Sequence, residues 1–177
     1  MDLEELAHRR ALGDAMITFV SEIMEHVTIR DDVMRQVVTE KYRRSVEEAA
    51  RHGIEVSLCW HSLAVWTEIG KERIGYFARA LDCLNAESET EPPLSAHQNW
   101  ATNHMQADCL YEIARVHAVE GSPEVARRFL EEALPLARHA ETMRIPAGIT
   151  HDDKLEGKIA VLHGKLSALD GGSCAVG

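Results

Sequence analysis

Apolar residues recur at steps of three and four along almost the whole chain, the spacing that lines one face of an α-helix. Strand-like alternation bounded by turn residues is missing, so the pattern predicts an all-α protein. Leu12, Met16, Phe19, Ile23 and Val27 mark a first helix from about residue 2 to 28. Asp31 and Asp32 then supply capping oxygens and favourable charge for a second helix. That helix carries Val33, Val37, Tyr42, Val46 and Ala49 and stops at Gly53. A third begins near Ile54, includes "CWHSLAVW" and breaks at Gly70, and "KERIGYFARALDCL" makes the fourth.

The stretch "ESETEPPLS" follows, where charge repulsion and two prolines disfavour a helix, so it is the one loop of any length. Ser95 and Gln98 have the spacing of a capping box, which opens a fifth helix running to about Glu120. Gly121 ends it, and Ser122, Pro123 and Glu124 start a sixth: serine as cap, proline at the first helical position, glutamate against the helix dipole. Val125, Phe129, Leu130, Ala133, Leu134 and Ala137 form its apolar face, and Pro135 within it predicts a kink or an early end. Thr150 or Asp152 caps a last helix bearing Leu155, Ile159, Leu162, Leu166 and Leu169. The pattern gives about seven helices in one all-helical domain over residues 1–170, with "GGSCAVG", residues 171–177, as a disordered tail.

Length and charge narrow the picture. A fold of 177 residues hides roughly 70% of the surface its unfolded chain exposes, enough for a core without staples. The balance of 29 acidic residues against 19 Lys and Arg, a formal charge of -10, argues against nucleic acid and anionic membrane and favours a basic or mixed partner. Cys59, Cys83, Cys109 and Cys174 lie more than twenty residues apart, with no C-x-x-C and no disulfide framework, which suits a reducing cytoplasm. The start "MDLEELAHRR" lacks a basic-then-apolar leader, and no apolar run is long enough to span a bilayer. The ending "CAVG" reads as tail rather than a prenylation motif.

Candidate chemistry is sparse. A di-iron carboxylate bundle needs Glu-x-x-His on two helices, and only Glu5-Leu6-Ala7-His8 fits. There is no H-E-x-x-H and no glycine-rich phosphate loop. His97 and His104 sit seven apart without an indicated third ligand and read as surface histidines. Cys59 and His61 are next-but-one neighbours on a helix and point apart, so Cys59 reads as a buried structural cysteine. Trp60, Trp66 and Trp100 read as core or inter-hairpin packing. No cofactor, metal or catalytic residue is implied.

The segment "LYEIARVHAVEGSPEVARRFLEEALPLA" resembles a tetratricopeptide repeat. Leu110, Ile113 and Ala114 on its first helix, Gly121 at the turn, and Ala126, Leu130, Ala133 and Leu134 on its second occupy that motif's positions, where small residues let paired helices cross closely. Fifty residues earlier "WHSLA" repeats the first part, with Trp60, Leu63 and Ala64 matching Leu110, Ile113 and Ala114. The similarity covers residues 57–140. Its period of about fifty, against the family's thirty-four, suggests elongated helices around the acidic loop.

This resemblance implies a tetratricopeptide-like stack of antiparallel helical hairpins with a concave groove that takes a peptide or helix of another protein. The implied inner face carries Leu58, His61, Val65 and Glu68 in one hairpin, and Asp108, Tyr111, Arg115 and Val119 in the other. His61, Glu68, Asp108, Tyr111 and Arg115 are the partner-binding candidates. Tyrosine and arginine combine contact area with directed hydrogen bonds. For Tyr111 and Arg115, a solvated face or packing under the last helix stays open beside that role. The first two helices either cap the stack or seat a homodimer. The functional expectation is a non-catalytic cytoplasmic interaction module, in a narrower form a small acidic bacterial chaperone or toxin-neutralising protein. The alternative is a helical-bundle metal binder or enzyme.

Overall fold

Helices in this protein begin and end where the capping chemistry of the chain changes. The computed structural model describes residues 4, 7–8, 11–13, 15, 18, 32–89, 94–150 and 154–171. It is all-α, with no strand among those residues. Six helices follow the first segment: α1 (Asp32–Arg51), α2 (Ser57–Trp66), α3 (Lys71–Ser88), α4 (Ala96–Val119), α5 (Pro123–Arg144) and α6 (Leu155–Gly171). Among the described residues no helix is long and apolar enough to cross a membrane. The expected helix over residues 2–28 falls largely outside the described residues, as do Leu169's side chain and residues 172–177 of the expected tail.

Backbone contacts gather into two compact units, Met1–Pro92 and Pro93–Gly177. The division falls in the acidic, proline-containing stretch.

In the first unit α2 and α3 form an antiparallel hairpin. Ser57 at the start of α2 hydrogen-bonds Glu87 near the end of α3, while Arg73 near the start of α3 donates to the Thr67 carbonyl beside the turn. Trp60, Leu63 and Ala64 on α2 and Phe77, Ala80 and Leu84 on α3 are all buried. Trp60 stacks on Tyr76 with ring centroids 5.9 Å apart, and the Arg79 guanidinium lies 4.7 Å from the Trp60 ring centroid. α1 ends at the residues expected: Gly53 takes φ +75, where a residue without Cβ is favoured, and Ile54 N–H reaches back to the Ala49 carbonyl. Tyr42 joins α1 to this core, donating to the Cys59 carbonyl. Gly13 of the first segment is also buried, and a Cβ there would collide with Val56.

In the second unit α4 and α5 form a longer hairpin and α6 packs mainly on α5. Both halves of the Ser95–Gln98 capping box are made, the Gln98 amide N–H donating to Ser95 Oγ and the Ser95 N–H to Gln98 Oε1. Gly121, at φ +76, closes α4, with Ser122 N–H bonded to the His117 carbonyl. Ala114, Ala126 and Ala133 have no exposed surface, which lets the two helices approach closely. Pro123 opens α5, but Ser122 makes no side-chain cap bond. The early end expected at Pro135 does not occur, since α5 runs through it to Arg144. Pro135 and Glu131 both lie on the exposed side, where water can meet the carbonyl that the missing N–H leaves unbonded. α6 begins at Leu155 with Lys154, at φ +59, in the capping position. Thr150 therefore does not cap it, and Asp152 lies outside the described residues. Leu155, Ile159 and Leu166 are buried as their spacing predicts.

Buried positions of the two hairpins correspond. Val56, Ser57, Cys59, Trp60, Leu63 and Ala64 are each matched, fifty residues on, by another buried residue, from Gln106 and Ala107 to Ile113 and Ala114. Phe77, Ala80, Leu84 and Glu87 share their burial and spacing with Leu130, Ala133, Ala137 and Ala140.

Candidate functional site

Along α4 the residues Trp100, His104, Asp108, Tyr111 and Arg115 follow steps of four, four, three and four, which puts them on one stripe of the helix. Three of the five expected partner contacts, Asp108, Tyr111 and Arg115, therefore share a face. Arg115 is exposed and donates to Glu112 at 2.6 Å, with its guanidinium carbon 5.9 Å from the Tyr111 ring centroid. The Glu112 carboxylate holds the guanidinium charged and pushes its pKa up. Tyr111 is half-buried, and burial raises its phenol, opposed by the Arg115 charge. The result is an aromatic ring and a fixed cation side by side, oriented by one carboxylate.

Two cavities border this stripe. One, of about 630 Å³, is lined by Trp100 and His104 from α4, Glu141 and Arg144 from α5, and Lys154 and Gly157 at the start of α6. Trp100 and His104 stack with centroids 5.1 Å apart, and His97 approaches Trp100 from the preceding turn. Arg144 is fixed by Glu141 at 2.9 Å. The second cavity, of about 510 Å³, is lined by Tyr111, Val161, Leu162 and three lysines, Lys154, Lys158 and Lys165. Lys154 and Gly157 line both, so the two cavities adjoin at the start of α6.

His61 and Glu68 belong to the first unit. His61 is half-buried with its ring edge-on to Phe77 at 5.5 Å. Glu68 is exposed and lines a polar cavity of about 830 Å³ with Arg43, Glu40 and Lys71. Arg43 there is already paired with Glu40 and Glu47.

Sequence reasoning did not find Trp100 and His104 as groove residues, nor the lysines of α6. Their signal was present as spacing: Lys154, Lys158, Leu162 and Lys165 recur at helical steps beside the buried Leu155, Ile159 and Leu166. Trp60 is fully buried core, as expected, whereas Trp100 is half-buried at the groove. Among the described residues no three His, Cys, Asp or Glu side chains gather closely enough to hold a metal ion. His8, the histidine of the lone Glu-x-x-His, is exposed, and Cys59 is buried as its position on α2 predicts.

Compared with known proteins, the chain matches no family model, no curated protein and no solved structure.

Proposed function

We propose that this protein is a non-catalytic interaction module that grips an extended or helical segment of another protein along the α4 stripe. The observation that carries this reading is the pairing of Tyr111 and Arg115. A large ring and a cation already held by Glu112 lose little freedom on contact, which is what makes such residues effective anchors. The groove beside them provides concave apolar surface for side chains of the bound segment. The fully buried Ala64 and Ala114, fifty residues apart and each on the first helix of a hairpin, support reading the hairpins as tetratricopeptide-like.

The test is a double substitution, Tyr111→Ala with Arg115→Ala, in the full chain. Neither side chain is core, so thermal stability should stay within about 1 kcal/mol of the original. Capture of a partner from a lysate of the native host should be abolished. Unchanged capture removes the α4 stripe as the binding surface.

A further inference from the structure

The cavity of about 510 Å³ between α4 and α6 runs against the charge of the rest of the molecule, with Lys154, Lys158 and Lys165 as its charged lining. The chain carries a formal charge of -10, yet three of its five lysines line one cavity. The arginines nearby are already matched: Arg115 to Glu112, Arg138 to Glu156 and Arg144 to Glu141. Lys158 and Lys165 have no carboxylate partner among the described residues, and both are exposed. Lys158 and Lys165 lie seven residues apart on one face of α6, and two exposed cations placed so gain from an anionic neighbour.

The surface between these lysines is apolar. Val161 is 59% exposed, Leu162 and Tyr111 are half-buried, and together they form the floor of the 510 Å³ cavity. The second cavity opens beside Trp100 and His104. Gly157 lies at the junction of the two, and a Cβ there would meet nothing within 4 Å. Glycine inside a helix weakens it relative to alanine, and here it leaves open space beside residues that line both cavities.

We propose that this groove docks an acidic amphipathic segment of a partner protein. Two bulky apolar side chains of that segment enter the two cavities, and carboxylates flanking the second one meet Lys158 and Lys165. The proposal rests on the interaction-module reading and specifies its partner. Charge complementarity selects an acidic segment over the basic or mixed one that the net charge suggests. The apolar floor selects a polypeptide over a nucleic acid, whose phosphates would meet the net negative charge of the whole protein.

The probe is a displayed library of randomised sixteen-residue peptides, selected at low salt against the immobilised full chain. Enriched peptides should be net acidic with two bulky apolar residues, and binding should weaken as salt rises. Lys158→Glu with Lys165→Glu should weaken them about tenfold or more, whereas Lys41→Glu on α1 should leave binding unchanged. Gly157→Leu should fill the junction and abolish binding while thermal stability holds or rises, a combination that simple damage to the fold would not give. Enrichment of basic or neutral peptides that still require Tyr111 and Arg115 overturns the acidic partner and leaves the interaction module standing. Affinity untouched by the lysine reversals does the same. No enrichment, or tighter binding of a single-stranded oligonucleotide than of any peptide, overturns both.

Discussion

Ser57 Oγ donates to a carboxylate oxygen of Glu87 at 2.8 Å, and both side chains are buried. This bond ties the first turn of α2 to the last turn of α3 across the open end of the hairpin. Ser57→Ala removes one hydrogen bond to a buried carboxylate, with an expected loss of about 1–3 kcal/mol. Changing both together, Ser57→Ala with Glu87→Leu, replaces a polar pair with apolar groups and should cost less than the sum of the single changes. Urea unfolding of the four proteins followed by circular dichroism measures the cycle. Strict additivity would show that the bond contributes nothing specific.

The closely packed hairpin of α4 and α5 makes a steric prediction. Ala126 has no exposed surface, so Ala126→Leu must displace helix α4 or adopt a strained rotamer. The expected loss is about 1–3 kcal/mol. Val125, the preceding residue, is 38% exposed, and Val125→Leu should be close to neutral by the same unfolding measurement. Equal effects at the two positions would contradict the packing.

Alkaline pH should destabilise the first unit through its tyrosines. Burial, reinforced by Cys59, pushes the Tyr42 phenol well above its ordinary range. Burial and the neighbouring Glu72 push Tyr76 up to about 12. The folded state thus keeps these protons at a pH where the unfolded chain has lost them. Stability is complete below about pH 10 and falls as pH rises toward 12, with a slope of up to about 1.4 kcal/mol per pH unit for each tyrosine. Unfolding midpoints between pH 9 and 12 test this, and Tyr76→Phe should flatten the dependence. A stability that stays level over that range contradicts the burial of both rings.

Thiol reactivity should follow burial. Cys59 and Cys109 are buried, and burial followed by the Asp108 charge raises the Cys109 thiol well above its ordinary pKa. Cys83 is only half-buried. In a Cys174→Ser background, iodoacetamide should label Cys83 first and reach Cys59 and Cys109 only on unfolding. Mass spectrometry of timed samples reads the order, and early labelling of Cys109 would contradict the packing of α4 on α5.

Helix boundaries were legible because they depend on neighbouring residues alone. Gly53 and Gly121 stop their helices for want of a Cβ, and Ser95 with Gln98 satisfies the free N–H groups that open α4. Pro135 misled in part, because a local rule against proline does not register that its position in α5 is exposed. The partner-binding candidates were legible only in part. Helical phase placed Asp108, Tyr111 and Arg115 on one face, but phase carries no information about what stands opposite that face.

By itself the sequence determined the all-α class, most helix ends and the small residues that let α4 and α5 touch, since each follows from interactions within a few turns of chain. Only the tertiary structure decided that α6 sets its lysines beside Tyr111, that Trp100 and His104 open onto a cavity, and that Gly157 lines both spaces. Those relationships arise where separate helices meet, and their geometry is set by how the buried faces of α4, α5 and α6 interlock.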